Sequence, residues 1–379
     1  MQQVLIHVIP LFFALYAYSS LFARTRLHWA IKGLSIFFIF FASQYPAFCR
    51  SFFAGHDQSV PHLGIILWSW LFASQIFLIV LAFLKDAYQH LMKWLCHRAA
   101  VPHATTAVTL CTLAMFLGAY GTYSALKQPQ IRYVTVPVEN LSPDLEGFRI
   151  VQLSDIHASA LLDRSRLEKI VQTTNALNPD LIAVTGDIVD GRVEVRKQDV
   201  MPLAQLHAQY GVYAVEGNHD HYVDYDGWMK ALPRLGLSVL HNSHVVLQVN
   251  GSPLIIAGLT DPMAKRYGRD LPDIRKALDG TQGLGAPIIL LSHQPKHSRE
   301  FLGYHINLQL SGHTHGGQIF GMHWLAQALN DGFVKGAYQL GPTMVYVNRG
   351  TGLWYGFPIR LGILGEITVF TLTSSAKNP

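Results

Sequence analysis

Two patterns of hydrophobic and polar positions divide the chain of 379 residues. In the first third, four stretches contain no Asp, Glu, Lys or Arg: residues 4–23, 33–49, 62–84 and 104–126. Each has close to the roughly 20 residues that a helix needs to cross a hydrocarbon core of about 30 Å. We therefore expect a four-helix transmembrane region within residues 1–127. Buried core helices of a soluble domain are the alternative, and two acidic residues among the first 130 disfavour it.

From residue 128 onwards, short β-rich runs alternate with amphipathic segments, which is typical of an α/β domain. Residues 131–138 alternate like an edge strand, whereas 148–154 are continuously apolar like a buried strand. Other strands are predicted at 181–185, 212–215, 245–249, 254–257, 288–291, 306–310, 344–347 and 366–371, and helices at 164–177, 198–208 and 225–235. This order predicts a domain of two packed mixed sheets flanked by helices, spanning residues 128–379.

The charge distribution supports this division. Charged residues make up 14% of the chain, against about 25% in a typical soluble domain. Residues 1–130 contain 8 Lys and Arg against 2 acids, while the remainder is nearly neutral. The short loops at 24–32 and 85–98 hold six basic residues and the opposite side holds three. By the positive-inside rule, we expect a multi-pass integral membrane protein whose chain beyond residue 126 lies outside the cytoplasm.

Side chains that can bind a metal ion follow five predicted strands in succession. An acid after one strand is ordinarily a turn or a helix cap, and a lone histidine is ordinarily structural. Five such coincidences at strand ends favour a site, because loops at the carboxyl ends of strands form the sites of α/β proteins. Oxygen and imidazole donors without thiolates suit Mn, Fe, Zn or Mg, and there are donors for two ions. Asp187 is the natural bridge, and such a pair of ions can activate water for in-line attack on phosphorus.

The ordered set Asp155-x-His157, Gly186-Asp187, Gly217-Asn218-His219-Asp220, His293 and Gly312-His313-x-His315 resembles the calcineurin-like metallophosphoesterase superfamily over roughly residues 148–350. The Gly316-Gly317-Gln318 extension and the approach at 145–150 resemble the membrane-associated bacterial YkuE/YaeI-type phosphodiesterase branch. That branch is distantly similar to UDP-2,3-diacylglucosamine hydrolases. The resemblance implies the calcineurin-like sandwich fold, two divalent metal ions and phosphoester hydrolysis.

The resemblance also implies roles for individual residues. One ion would be held by Asp155, His157 and His315, the other by Asn218, His293 and His313, with Asp187 bridging them. His219 would not bind metal. It would stabilise the phosphoryl group or protonate the leaving oxygen, oriented by Asp190.

Two further positions depart from the family pattern or are left open by it. An arginine usually follows the acid at 190, but Gly191 stands there and Arg192 comes one position later. Arg349 is a second candidate for binding substrate, with a plain surface arginine an equal alternative. We expect Asp220 to be a helix cap.

The leading functional hypothesis is a membrane-anchored dimetal hydrolase, a phosphodiesterase or pyrophosphatase acting on a membrane-proximal or lipid-linked phosphoester. We place it in the bacterial inner membrane with an extracytoplasmic catalytic domain. Phosphomonoester hydrolysis stays open, because a dimetal centre serves all three reactions. Nucleic-acid binding is not expected, since the tryptophans are not interleaved with basic runs.

Two other classes of function compete with this hypothesis. A transporter or channel with a regulatory phosphoesterase-like domain would need charged residues in its spans. The four apolar stretches offer polar side chains such as His7, Gln44 and Gln75 but no fixed charge, which favours a simple anchor. A metal-binding scaffold without catalysis would not need His219, so this residue favours an enzyme.

Overall fold

The computed structural model describes residues 2–23, 25–49, 62–97 and 104–375. They form two compact units. The first comprises the described residues up to Leu126 together with Tyr355–Leu361, and the second comprises Lys127–Trp354 and the chain from Gly362 onwards. The chain therefore crosses from the second unit to the first and back, whereas the predicted domains, residues 1–127 and 128–379, assume a single boundary.

The first unit is helical. Its helices are α1 Gln2–Tyr18, continued by a π-helical turn Ser19–Ala23, then α2 Trp29–Ser43, α3 Tyr45–Phe48, α4 His62–Cys96 and α5 Ala104–Ala125. Among the described residues, three helical stretches are long and apolar enough to cross a membrane: Trp29–Phe48, His62–Cys96 and Ala104–Ala125. The fourth apolar helix, His7–Ala23, is shorter. At 1.5 Å per residue it extends about 26 Å, less than the roughly 30 Å of a hydrocarbon core.

Close packing between small residues joins α4 and α5. A Cβ atom on Gly118 would lie 2.7 Å from the backbone nitrogen of Ser74, so only glycine allows this approach. Backbone groups of the segment Tyr355–Leu361 make hydrogen bonds to helices of the same unit. The Tyr45 hydroxyl donates to the Tyr355 carbonyl at 2.8 Å, and the Arg360 amide donates to the Gly121 carbonyl at 3.0 Å.

The second unit contains two six-stranded sheets, as the sequence predicted. The first sheet has the strand order β1-β12-β2-β3-β4-β5 and the second β10-β11-β9-β8-β7-β6. The strands are β1 Gln130–Val138, β2 Arg149–Leu153, β3 Leu181–Thr185, β4 Val212–Val215, β5 Leu237–Val239, β6 Ser243–Val249, β7 Ser252–Gly258, β8 Ile288–Leu291, β9 Leu308–Ser311, β10 Gly336–Leu340, β11 Thr343–Val347 and β12 Glu366–Ser374.

Both sheets are mixed, with a parallel centre. Strands β2 to β5 run parallel in the first sheet, and β7, β8, β9 and β11 run parallel in the second. The main core lies between the sheets, where Ile289 and Leu291 of β8 pack with Ile150 and Leu181. Leu290 points the other way and packs with Ala277. These strands are continuously apolar because both of their faces are buried.

Four helices pack on the outer faces of the sheets: α6 Arg164–Ala176, α7 Val193–Val200, α8 Tyr225–Ala231 and α9 Ile274–Ala277. A further described helix, α10 Met322–Leu329, has no buried residue. Short 3₁₀ turns lie at Pro143–Leu145, Met201–Gln205, Leu232–Leu235, Pro262–Tyr267, Ser298–Tyr304 and His315–Gly317.

The helix predicted at 198–208 was placed wrongly. Its α-helical part, α7, ends before Pro202, because proline cannot donate the backbone hydrogen bond that a helix interior requires.

Candidate metal centre

The metal-binding side chains lie at the carboxyl ends of parallel strands from both sheets. Five loops contribute: Asp155 and His157 follow β2, Asp187 follows β3, Asn218 follows β4, His293 follows β8, and His313 and His315 follow β9. The structure brings all seven predicted ligands together. Donor atoms lie within 4.8 Å of one another in three groups: Asp155 with His157 and His315, Asp187 with His293 and His313, and His157 with Asp187 and His219.

One half of the cluster is formed by the first and last of these loops. The Nε2 atoms of His157 and His315 are 3.2 Å apart, and His315 Nε2 is 3.4 Å from Asp155 Oδ1. Asp187 closes this half, with its Oδ2 atom 3.6 Å from His157 Nε2. The donor atoms of Asp155, His157 and His315 thus lie within 4.8 Å of one another, with Asp187 beside His157.

The other half is formed around the amide of Asn218. Its Oδ1 atom lies 2.7 Å from His313 Nδ1 and 3.2 Å from His293 Nε2. The same Asp187 Oδ2 atom that borders the first half lies 3.3 Å from His293 Nε2. The Asp187 carboxylate is therefore shared between two sets of donors.

Comparison with known proteins places this sequence in a family. The family model of calcineurin-like phosphoesterases matches residues 148–317, which contain all seven of these residues. The Bos taurus "Transmembrane protein with metallophosphoesterase domain" is 37% identical over 79% of this chain and 70% of its own length. The Bacillus subtilis "Uncharacterized metallophosphoesterase YkuE" is 36% identical over 68% of this chain and 91% of its own length.

The chain belongs to the calcineurin-like metallophosphoesterases. It has their metal-dependent phosphoester hydrolase domain, as predicted. A Danio rerio "Transmembrane protein with metallophosphoesterase domain" is 40% identical, and the match covers 68% of this chain and 60% of that relative.

Backbone strain marks the centre of this metallophosphoesterase. Five of the predicted ligands have positive φ: Asp155 (50°), His157 (49°), Asp187 (52°), His313 (70°) and His315 (48°). Non-glycine residues seldom adopt this region, and such strain concentrates at functional sites. The turns also need adjacent glycines. A Cβ on Gly217 would collide with Asp187, and one on Gly312 would collide with the Asp155 carboxylate.

Outer hydrogen bonds orient the ligand atoms towards the centre. His293 Nδ1 donates to the Thr185 carbonyl at 2.8 Å, which leaves Nε2 as its donor atom for a metal. His157 Nδ1 is bound to Asp190 Oδ2 at 2.9 Å, with the same consequence. The Ser154 hydroxyl donates to Asp155 Oδ2 at 2.6 Å. Partners of this kind fix the tautomer and orientation of metal ligands, so the donor set fits divalent cations.

Asp220 has a different role from the predicted helix cap. This buried carboxylate accepts backbone N–H groups from Asp187 at 3.0 Å, Ile188 at 3.0 Å and Gly217 at 2.7 Å. It therefore ties the loop after β3 to the loop after β4. The prediction was wrong because the N–H groups that donate to Asp220 lie 31 to 33 residues away as well as in its own turn.

The charges within the cluster act on one another strongly. Burial favours the neutral form of Asp187, but the neighbouring His293 and His219 hold its pKa well below the usual range. Burial and the charge of Asp187 raise the pKa of Asp155. Burial and the charge of His293 lower the pKa of His313 to about 3, which leaves this imidazole neutral and able to bind a cation.

His219 lies beside the centre in its own network. Its Nδ1 atom is 2.9 Å from Asp190 Oδ1, and its backbone amide donates to Asp187 Oδ1 at 2.7 Å. Burial lowers its pKa, but Asp187 and Asp190 outweigh burial and raise it to about 9. The rings of Tyr222 and Trp354 flank it at 4.9 Å and 5.4 Å. The motif gave no signal for Trp354, which is 135 residues further along the chain.

The two predicted substrate arginines are placed differently. Arg349 lies next to the ligand loop: a Cβ on Gly316 would be 3.2 Å from its Cγ atom. Its Nε atom lies 3.3 Å from Glu366 Oε2. Arg192 is exposed at the residue before α7. Among the described residues, Arg192 makes no hydrogen bond or ion pair with the cluster.

Proposed function

We propose that this chain is a membrane-anchored hydrolase that uses two divalent ions to cleave a phosphodiester or pyrophosphate bond in a membrane-proximal or lipid-linked substrate. The observation that carries the proposal is the position of Asp187 Oδ2, which lies 3.6 Å from His157 Nε2 and 3.3 Å from His293 Nε2. A carboxylate between two donor sets can bridge two cations and offset their repulsion.

In this proposal, Asp155, His157 and His315 would hold one ion, Asn218, His293 and His313 would hold the other, and Asp187 would be shared by both sites. Bound ions would supply positive charge for the phosphoryl group and lower the pKa of water for attack on phosphorus. Mn, Fe, Zn and Mg all suit these oxygen and nitrogen donors.

The protein itself supplies the proton for the leaving group. His219 is the acid, because its Nδ1 atom is occupied by Asp190 and its protonated form is stabilised by two carboxylates. Asp190 is a positioning residue, since its other oxygen holds His157. Arg349 contributes positive charge beside the ligand loop. We assign no role to Arg192.

The membrane part of the proposal rests on the apolar helices of the first unit. Three of them have the length and composition to cross a membrane, and two relatives bear the word transmembrane in their names. The excess of basic residues at 24–32 and 85–98 supports an extracytoplasmic second unit, and we propose a bacterial inner membrane as its location. An enzyme fixed there meets substrates at the bilayer surface, which favours phospholipids and lipid-linked phosphoesters.

The test uses the full chain in nanodiscs with added Mn²⁺. Hydrolysis of bis-p-nitrophenyl phosphate is compared with that of p-nitrophenyl phosphate, in the natural chain and in Asp187→Asn. We expect turnover of the diester and a loss of about a hundredfold or more in the variant. Asp270→Asn is the matched control, because this acid is exposed and away from the cluster.

Two results would count against the proposal. Undiminished diester turnover in Asp187→Asn would contradict the shared carboxylate. Turnover of the monoester alone would indicate a phosphatase instead of a diesterase.

A further inference from the structure

A cluster of basic residues lies beside the metal centre, arranged around one buried carboxylate. Glu366 is fully buried, and its Oε2 atom lies 2.9 Å from Arg132 Nε and 3.3 Å from Arg349 Nε. Its Oε1 atom accepts the Tyr346 hydroxyl at 3.0 Å and the Arg349 amide at 3.3 Å. The Thr368 hydroxyl also donates to Oε1, at 3.4 Å, so this carboxylate pairs with two guanidinium groups and accepts three hydrogen bonds.

Lys335 adds a third positive charge. Burial and the charges of Arg349 and Arg132 lower the pKa of Lys335. One negative charge on Glu366 does not offset three positive charges. The cluster is partly open to solvent, since the Arg132 side chain is 41% exposed and that of Arg349 18%.

The cluster is connected to the ligand loop at two points. The Thr314 hydroxyl, between His313 and His315, donates to the carbonyl of Val334, the neighbour of Lys335. On the other side, a Cβ atom on Gly316 would lie 2.9 Å from Ile363 Cγ2 and 3.2 Å from Arg349 Cγ, so the Arg349 side chain packs closely against this loop. Lys335 and Arg349 thus belong to segments that pack directly on the loop carrying two predicted metal ligands.

We propose that Arg132, Lys335 and Arg349 form a subsite for a second anionic group of the substrate, a phosphate or carboxylate separate from the phosphoryl group being cleaved. This inference rests on the proposed function and narrows its substrate class to compounds with at least two anionic groups. Arginine and lysine side chains are the usual partners of such groups. Glu366 holds the two arginines in place and leaves the cluster with a net positive charge.

Binding is measured first, without turnover. Pyrophosphate is titrated calorimetrically into the metal-free full chain in neutral nanodiscs. We expect Lys335→Gln to bind about tenfold more weakly than the natural chain, which is the effect of losing one charged contact. Lys276→Gln is the control, because this exposed lysine pairs with Asp270 away from the cluster. Equal affinity in the natural chain and Lys335→Gln would overturn the inference.

Turnover gives the second measurement, with two p-nitrophenyl phosphodiesters that differ only in the other ester group, butyl or 3-carboxypropyl. We expect a lower KM for the carboxylate probe, by about tenfold, and loss of this preference in Lys335→Gln. Turnover of both probes without a difference in KM would refute the subsite and leave the proposed function intact. Competition by phosphatidylglycerol, and not by free glycerol phosphate, would identify a lipid headgroup as the source of the anion.

Discussion

The two units of the molecule use apolar residues in opposite ways. In the helical unit, large apolar side chains are exposed, among them Phe12, Trp29, Phe83 and Phe116. In the α/β unit, the apolar strands are buried on both faces, and acids and histidines occupy the loops at one edge. The helical unit satisfies its backbone hydrogen bonds within each helix, which is what lipid would require. The α/β unit instead concentrates charge and backbone strain at its site.

This contrast indicates a division of labour. Close contact between small residues, such as Gly118 against Ser74, holds the helices together without charge. The metal centre depends on buried carboxylates, including Asp187 and Asp220, that need compensation from their neighbours. We therefore expect substitutions in the first unit to leave catalytic turnover intact, and substitutions at the metal centre of the second unit to lower it.

The largest expected effect tests the assignment of chemistry to the α/β unit. We expect His219→Ala to lower diester turnover by about a hundredfold to ten-thousandfold, the range for losing a general acid. Metal content should be unchanged, measured by mass spectrometry of the purified full chain. His207→Ala is the control, because His207 is exposed and outside the cluster. Loss of metal in His219→Ala would show that His219 is a ligand.

A second prediction concerns a buried acid beside the centre. Asp261 is buried, and both of its carboxylate oxygens accept a hydrogen bond from Gln294 Nε2. Burial raises the pKa of Asp261 to about 6. In the unfolded chain its pKa is about 3.9. Below pH 4 both states are protonated. Between pH 4 and 6 the unfolded state loses its proton first, so the free energy of unfolding falls as pH rises.

Above pH 6 the fall in the free energy of unfolding is complete, at about 2 to 3 kcal/mol. We expect Asp261→Asn to remove that fall, measured by thermal unfolding of the full chain from pH 4 to 8. A chelator is present, because a bound cation would itself lower the pKa. Asp270→Asn, at an exposed site, should behave like the natural chain. The same pH slope in Asp261→Asn would contradict the account.

The smallest effect tests the helical unit. Gly118→Ala places a methyl group against the Ser74 backbone and should destabilise the helices by about 1 to 2 kcal/mol. The measurement is the thermal midpoint of helical circular dichroism in nanodiscs, together with turnover of bis-p-nitrophenyl phosphate. Turnover at low temperature should stay within about twofold. Gly64→Ala is the control, since nothing lies within 4 Å of its Cβ position. A large loss of turnover would show that the helices do more than anchor the enzyme.

The sequence predicted those parts of the fold that depend on local pattern. The continuously apolar strands, such as 181–185 and 288–291, were placed correctly because burial on both faces leaves no alternation to misread. The short strand β5 and the partly exposed β10 were missed, since neither has such a run. Helix α4 extends to Cys96, beyond the predicted 84, because the end of an apolar stretch marks the end of a possible membrane span and not the end of a helix.

Prediction of the site from sequence met the same limit as prediction of the fold. Ligand types and their order along the chain were visible as residues at strand ends, and the structure brings them together. The interactions that hold them are long-range: Asp220 reaches the loop after β3, and Trp354 reaches His219. Spacing along the chain gives no signal for contacts of this kind. The membership of Tyr355–Leu361 in the helical unit was missed for the same reason.

The most direct test of the central claim is the number of metal ions bound per chain. The purified full chain and Asp187→Asn are loaded with Mn²⁺, desalted and measured by inductively coupled plasma mass spectrometry. The account predicts about two ions per natural chain and about one or fewer in the variant, because the carboxylate shared by both donor sets is lost. One ion in the natural chain, or two in Asp187→Asn, would contradict it.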